Sequence, residues 1–530
     1  MSDLARFEFF ITVVSVILTL ALVAKYLRLP TSVAFIGGGI CMVALPWVPN
    51  ITIDPDLILV MFLPPLLMSG AYFTVWSSFR ENLLGILQLA VGAVFFTTLI
   101  VGVVTHFLVP SLPWSVCFAL GAILAPPDAV AAKSVLTQVK LPERLTTLME
   151  GESLLNDASS LVIYRVAISS FLTGTFSIVH ATISFAVLSI GGLLLGGVLA
   201  YFFILILRRI SDPLIVICLT LLGPWMAYII GDRIGVSGVM ATVTMGLMFG
   251  WRQHDIFGAR TRVEAGSFWA LLIFLMEALI FVTIGLGLRS VFSMGGNLFA
   301  TKTALFTAVA GVILATIVAR FLWVYAAVIV SKLVSKIFKL NWTFSHDEWK
   351  HATIIGWTGM RGVVSLAVAL STPSNMPGRE FVLLCAFVLI LITVVGQGTT
   401  LGVLIRCLGI KDAQDDKNSL LNIAQARLKM ASAQREEIEK LAISPTGKVL
   451  HPRLLEQYRF RENAIKRYNE QPSVFQPEKE AHYQTLLKIV AKGREELLKL
   501  HKAGRIHDSV VRQLEYELDL QEMSAEVSHR

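Results

Sequence analysis

The chain has 530 residues, of which 55% are hydrophobic and 15% are charged, and its mean hydropathy is +0.69. Soluble domains carry roughly 25% charged residues, so the composition indicates a membrane protein and excludes a soluble globular one. Of the formal net charge of +8, residues 411–530 carry +2 and the remaining +6 is spread over many short loops of residues 1–410, which favours contact with lipid head groups over binding of a nucleic acid.

Charge is distributed unevenly along the chain. Residues 411–530 hold 21 of the 45 Lys and Arg residues and 19 of the 37 Asp and Glu residues. We therefore predict a transmembrane domain at residues 1–410 and a hydrophilic tail at residues 411–530. In the tail, Lys and Arg alternate with Glu at helical spacing, which predicts a helical bundle that is either a solvated appendage or a regulator of transport.

Stretches long enough to cross a bilayer recur along the first 410 residues. A helix needs roughly 20 apolar residues to do so, and we predict thirteen such spans, at residues 7–27, 31–48, 55–75, 82–108, 115–137, 145–172, 177–208, 211–231, 235–251, 265–290, 301–334, 349–372 and 378–408. Lys and Arg concentrate in alternate loops. By the positive-inside rule these loops and the tail lie in the cytoplasm, and the odd number of spans leaves the N-terminus outside.

The sixth span contains an unusual polar run, residues 151–157, with the sequence Gly-Glu-Ser-Leu-Leu-Asn-Asp. An ionisable group at the bilayer centre costs at least about 2.5 kcal/mol, so each one needs a structural or functional reason. Helical geometry places Ser153 and Asp157 on one face, with Glu152 and Asn156 beside them. Their oxygens suit a small dehydrated cation, and burial favours a proton on the aspartate instead. We predict that cation and proton compete for Asp157; the alternative is a carboxylate paired with an arginine.

Two other spans carry residues that interrupt helices. The fifth contains Ala-Pro-Pro-Asp at residues 125–128, and the twelfth contains three glycines at three-residue spacing within residues 356–362. Broken helices at membrane depth line cavities, where their freed carbonyl groups serve ions. The two breaks occupy corresponding positions in the two halves of the chain, which predicts inverted repeats whose broken helices cross at mid-membrane. Asp128 is interpreted either as a site residue or as the cap of the following half-helix.

The remaining charged residues of the spans need partners. We predict that Arg361 pairs with Glu152, because neither charge is stable alone in lipid. Arg320 is interpreted as bracing the site, as neutralising Asp128, or as extending to a membrane interface. Glu277 is interpreted as a gating residue or as one that faces a neighbouring helix.

Other features of the sequence argue against metal binding, nucleotide-driven pumping, channel activity and peptide hydrolysis. The five cysteines show no metal-ligand spacing and are interpreted as packing residues. The sequence has no nucleotide-binding signature, so we expect ion gradients to drive the protein, without a cofactor and without an enzymatic reaction. A cation channel is disfavoured because no filter-like loop is evident, and a membrane-embedded aspartyl hydrolase using Asp128 and Asp157 leaves Asn156, Ser153 and the second break unexplained.

The motifs at residues 151–157 and 125–128, together with Gly-Met-Arg-Gly at 359–362, resemble those of the sodium/proton exchanger family, the first monovalent cation:proton antiporter family. The resemblance extends over residues 1 to about 410, and the tail is similar, more weakly, to the cytoplasmic extension of bacterial exchangers. It implies that Asp157 binds Na⁺ and H⁺ in turn, that Ser153 and the region of Pro127 and Asp128 complete the Na⁺ site, and that Asn156 accompanies electroneutral exchange.

The resemblance further implies a homodimer in the inner membrane that serves pH homeostasis, with a core bundle that moves as an elevator against a dimerisation domain. One residue departs from the family pattern: Ser69 stands where many relatives have an acidic residue. We therefore expect a less acidic site, at which K⁺ or Li⁺ is the alternative to Na⁺.

Overall fold

The computed structural model describes residues 3–27, 29–43, 55–128, 141–293, 301–338, 348–373, 375–409, 423–442, 449–503 and 505–529. Helices joined by short turns make up nearly all of these ranges, and no β-strand occurs within them. The predicted all-helical class is therefore confirmed. The chain divides into two compact units, Met1–Ala413 and Gln414–Arg530.

The first unit holds the apolar helices. Within its described residues they are α1 (Asp3–Leu27), α2 (Thr31–Val43), α3 (Pro55–Phe73), α4 (Trp76–Glu81), α5 (Leu83–Leu108), α6 (Trp114–Leu124), α7 (Glu143–Thr173), α8 (Ile178–Leu207), α9 (Pro213–Ile234), α10 (Gly238–Ile256), α11 (Ala259–Ser293), α12 (Lys302–Phe338), α13 (Glu348–Trp357), α14 (Val363–Leu370) and α15 (Arg379–Leu408).

Length and composition suit several of these helices to a membrane. In the described ranges, six contain stretches long and apolar enough to span one, namely α5, α8, α9, α11, α12 and α15. Shorter apolar helices lie in α1, α2, α3 and α6. The thirteen predicted spans stay a prediction as a count, because the second half of the fifth span falls at residues 129–137, outside the described ranges.

The two predicted helix breaks are present. α6 ends at Leu124, directly before the prolines, which cannot continue a helix because they lack a backbone N–H and clash with the preceding turn. α13 ends at Trp357, and α14 begins only at Val363. The breaks meet: the backbone N–H of Asp128 donates to the carbonyl oxygen of Met360 at 2.6 Å.

Two long helices contain a π-helical turn, at Gln88–Ala93 in α5 and at Ile392–Gln397 in α15. Such a turn leaves backbone groups without their usual intrahelical partner, and it occurs frequently at functional sites. The carbonyl of Gln88 accepts a hydrogen bond from the indole N–H of Trp323 in α12, at 3.1 Å. The turn in α15 lies beside the second break, as described below.

Small residues bring several helices into close contact. A Cβ atom built on Gly285 of α11 would lie 2.7 Å from the Cα of Gly39 in α2, and one on Gly231 of α9 would lie 2.8 Å from the Cα of Gly238 in α10. Close approach through glycine is the usual means by which membrane helices gain packing contact, since lipid supplies no hydrophobic drive between them.

The second unit consists of α16 (Ile423–Ala442), α17 (Pro452–Glu470), α18 (Pro472–Lys502) and α19 (Asp508–His529) in its described residues. α16 and α17 form one antiparallel pair, in which Arg459 bonds to Glu439 at 3.0 Å. α18 and α19 form another, in which Arg494 bonds to Asp519 and Glu522, each at 2.6 Å. The alternating charges of the sequence thus connect neighbouring helices.

Candidate functional site

The polar run of the predicted sixth span lies in the middle of α7 and faces the protein interior. Asn156 is 0% exposed and Asp157 is 8% exposed, and Glu152 is also buried. Ser153 is half-buried, one helical turn before Asp157. Because α7 packs chiefly on α6 and on the π-helical turn of α5, these polar side chains are sheltered within a bundle of helices.

Asn156 connects the run to the first break. Its side-chain Nδ2 donates to the carbonyl oxygen of Pro127 at 2.7 Å, a carbonyl that the helix break has left available. Its Oδ1 is buried and receives no hydrogen bond from any part of the chain that the structure describes. A buried acceptor without a donor costs about 1–3 kcal/mol, so this oxygen, next to Asp157, is suited to a cation or a water molecule.

Asp128 lies at the same crossing of the two breaks. Its carboxylate occupies the space beside Gly362 in the second break, so that a Cβ atom at Gly362 would collide with it. It is close enough to Asp157 for the two negative charges to repel each other. The interpretation of Asp128 as a helix cap concerns residues 129–140, which lie outside the described ranges.

The predicted pair of Glu152 with Arg361 is wrong. Glu152 instead bonds to Arg320 of α12 through both carboxylate oxygens, at 2.6 and 3.0 Å. Both side chains are buried, and Arg320 also donates to the carbonyl of Ile355 at 3.0 Å. The bidentate contact uses the planar geometry of guanidinium and carboxylate. Arg320 therefore does not extend to a membrane interface, and its first predicted role, bracing the site, is the one compatible with its position.

Arg361 lies at the crossing of the two breaks and bonds to backbone carbonyls there. Its side chain donates to the carbonyls of Leu124 at 2.9 Å and Ala125 at 3.3 Å, at the end of α6, and to the carbonyl of Gly359. The guanidinium thus satisfies carbonyls left over from both breaks. A positive charge is favourable there, because the C-terminal end of a helix carries a partial negative charge.

Thr393 was not singled out from the sequence. It lies in the π-helical turn of α15, and its hydroxyl accepts the backbone N–H of Arg361 at 3.1 Å. The arrangement parallels that of Asn156, whose side chain bonds to the backbone of the first break. In each half of the chain, the helix that follows the broken span, α7 in the first half and α15 in the second, supplies a side chain that bonds to the backbone of the break, in agreement with a repeat.

The other predicted residues lie at different positions. Ser69 is half-buried in α3, and a Cβ atom on the neighbouring Gly70 would lie 3.1 Å from Leu154, so this part of α3 packs on the site-bearing helix. Glu277 is half-buried in α11. Within the described ranges, no group of three or more His, Cys, Asp or Glu side chains is placed to hold a metal ion. The oxygens at the crossing include those of Asp128, Asn156 and the freed carbonyls, and Ser153 and Asp157 lie on the same stretch of α7.

Comparison with known proteins agrees with this arrangement. The family described as "Sodium/hydrogen exchanger, transmembrane" matches residues 12–407. A sodium, potassium, lithium and rubidium/H⁺ antiporter of Bacillus pumilus is 32% identical over an alignment of 384 residues, gaps included, that covers 69% of this chain and 56% of that protein. The Na⁺/H⁺ antiporter ApNhaP of Aphanothece halophytica is 31% identical over 414 residues, 76% of this chain and 75% of the relative.

The fold is also that of a solved structure. The sodium proton antiporter MjNhaP1 of Methanocaldococcus jannaschii superposes with a TM-score of 0.62 at 22% sequence identity, covering 78% of this chain and 100% of that one. The family match spans most of the chain, including α7 and both breaks. The chain is therefore a multi-pass membrane protein that belongs to the sodium/hydrogen exchanger family.

Proposed function

We propose that the protein is a secondary active transporter that exchanges Na⁺ for H⁺ at Asp157. The observation that carries the proposal is a buried carboxylate beside a buried oxygen, Asn156 Oδ1, that has no donor among the described residues. Both lie where two broken helices cross. Such a site gains most from a bound cation when the carboxylate is charged, and from a proton when it is not. Cation and proton therefore exclude each other.

Electroneutral exchange is consistent with the charges around the site. The charges of Glu152 and Arg320 cancel in a direct ion pair. Arg361 and Asp128 both lie at the crossing of the breaks, where the backbone N–H of Asp128 donates to the carbonyl of Met360, and their opposite charges are proposed to stay fixed during the cycle. Asp157 is then the carboxylate whose charge changes during the cycle, so that one cation replaces one proton. Asn156, which is neutral, adds no further titrating charge.

The binding residues follow from their positions. Asp157 and Ser153 supply a carboxylate and a hydroxyl from one face of α7, and the carbonyl of Pro127 is held nearby by Asn156. Asp128 contributes a second negative charge to the same crossing. These are hard oxygen ligands of the type that small cations prefer.

The identity of the cation has one alternative. The name of the Bacillus pumilus relative includes potassium, lithium and rubidium as well as sodium, and Ser69 removes a carboxylate that many family members carry. A K⁺/H⁺ or Li⁺/H⁺ antiporter of the same fold is therefore the second candidate. Comparing Na⁺, Li⁺ and K⁺ gradients of equal size in one exchange assay distinguishes these cations.

The cycle requires the site to face each side of the membrane in turn. We propose that α5–α7 and α12–α15 move as an elevator against α1–α3 and α8–α11, in a homodimer in the cell's inner membrane that serves pH homeostasis. The positive-inside rule orients the loop before α7 towards the cytoplasm, together with the C-terminal unit, and places the N-terminus outside.

Reconstituted protein tests the proposal directly. In proteoliposomes, a Na⁺ gradient is expected to move protons in the opposite direction, as measured with a pH-sensitive dye inside the vesicles. Asp157→Asn keeps the size of the side chain but removes the exchangeable charge, so we expect it to abolish proton movement. Unimpaired exchange by Asp157→Asn contradicts the assignment, and a steady current without proton coupling indicates a channel.

A further inference from the structure

A second pair of charges lies away from the site, where α7 approaches α9. Nη2 of Arg165 is 2.6 Å from Oδ1 of Asp232, and the two side chains are 46% and 53% exposed. Arg165 follows Asp157 by eight residues, about 12 Å along the helix axis, and Asp232 lies in the last turn of α9. The pair therefore connects the site-bearing helix to a different helix.

Beyond the site, the two helices pack mainly against different neighbours, although Tyr228 of α9 and Leu154 of α7 share a cluster of buried side chains nearer the site. Beyond Asp157, Tyr164 and Ala167 of α7 pack in one cluster with Leu120 and Ile123 of α6 and with residues of α12, α14 and α15. α9 packs on α10 and α3, and its residue Ala227 belongs to a separate cluster with residues of α3, α8, α10 and α11. The ion pair thus connects two helices whose other neighbours at this level largely differ.

The contact surface between α7 and the second group of helices is otherwise largely aliphatic near the site. Leu154, Leu155 and Ala158 of α7 pack with side chains of α3 and α10, which include Leu63, Leu67, Ala71, Val239 and Val243. Apolar contact is non-directional and depends mainly on the area removed from water, so such a surface tolerates displacement. A charged hydrogen bond depends on distance and angle and is lost when the helices shift by a few ångströms.

We propose that the Arg165–Asp232 ion pair is a latch that stabilises one of the two end states of the exchange cycle. The inference rests on the proposed function, in which α7 moves relative to α9. Ion pairs between exposed side chains change an equilibrium constant by a factor of about 1.5–5. A latch of this strength biases the distribution between the states facing the two sides of the membrane, yet it opens readily in each turnover.

Sided measurements of cation affinity separate a latch from a merely structural contact. When a conformational equilibrium shifts, the apparent affinity of each state changes with the population of that state. Asp232→Asn and Arg165→Gln are therefore expected to change the apparent Na⁺ affinity about 2–5-fold in opposite directions on the two membrane faces, measured in right-side-out and everted vesicles. A structural defect would lower the transport rate without opposite shifts.

Two further variants complete the test. The charge exchange Arg165→Asp with Asp232→Arg restores the pair, and we expect both sided affinities to return towards those of the wild type. Glu264→Gln is the matched control, because it removes a 2.7 Å pair with Arg260 that lies within the single helix α11; its affinities should stay unchanged. Parallel shifts on both faces, or none, overturn the latch. Loss of Na⁺-driven proton movement in the wild type would instead overturn the proposed function.

Discussion

At the scale of single residues, the site depends on which polar atoms have partners. The charges of Glu152 and Arg320 are paired with each other, and the guanidinium of Arg361 donates hydrogen bonds to carbonyl oxygens. Asn156 uses its amide nitrogen but leaves Oδ1 without a donor among the described residues. Buried polar groups almost always have partners in native proteins, so this oxygen on the residue before Asp157 is a position at which we expect a cation or a water molecule.

Gly362 should be intolerant of any side chain. Since a Cβ atom there would collide with the carboxylate of Asp128, we expect Gly362→Ala to displace that carboxylate and to lower the exchange rate about tenfold or more, because small displacements at a reacting site are costly. The measurement is Na⁺-driven proton movement in proteoliposomes. Gly396→Ala is the control, as nothing lies within 4 Å of the added atom. Equal activity of the two variants would contradict the described position of Asp128.

A double-mutant cycle can test which arginine pairs with Glu152. Removing one member of a buried ion pair costs about 3–5 kcal/mol, because the other charge is left unpaired. We expect Glu152→Gln and Arg320→Gln each to lower the thermal stability of the purified protein strongly, and the double variant to lose much less than the sum. The same cycle with Arg361→Gln should give a smaller coupling. A larger coupling to Arg361 would favour the pair expected from the sequence.

At the scale of helices, the breaks were predictable because their cause is local. Pro126 and Pro127 end α6 at the residue expected, and the glycines of the second break separate α13 from α14. A proline acts through its own backbone, so no knowledge of neighbouring helices is needed. The same applies to the polar run of α7, whose helical spacing predicted that Ser153 and Asp157 share a face.

Contacts between helices were less predictable. Arg320 on α12 and Arg361 in the second break are both buried single charges, and the spacing of residues along a chain does not reveal which of them reaches Glu152. Opposite charge alone suggested Arg361; its actual partners are backbone carbonyls, which have no signature in the sequence. The π-helical turn that brings Thr393 to Arg361 is not predicted by any residue pattern in the sequence.

The hydroxyl of Thr393 should stabilise the second break. Thr393→Val keeps the shape of the side chain but leaves the buried N–H of Arg361 without its acceptor, at a cost of about 1–3 kcal/mol. We expect a lower midpoint of thermal unfolding. Thr316→Val is the matched control, because the hydroxyl of Thr316 is also buried and bonds to Val312 of its own helix. If both variants unfold at the same temperature, the contact with Arg361 contributes nothing.

At the scale of the whole molecule, the family relationship and the site lie in the same unit. The family match at residues 12–407 falls within Met1–Ala413. Composition predicted the membrane class, and local motifs predicted the family; the contacts that assemble the site required the structure.

The central claim is that one cation and one proton compete for Asp157, and calorimetry of the purified protein tests it most directly. If binding of Na⁺ displaces the proton of one carboxylate, the heat of binding depends on the ionisation enthalpy of the buffer, with a slope that approaches about one proton released per Na⁺ at a pH where the carboxyl is protonated. We expect this slope in the wild type and no measurable Na⁺ binding in Asp157→Asn. Sodium binding without proton release over the whole pH range would contradict the account.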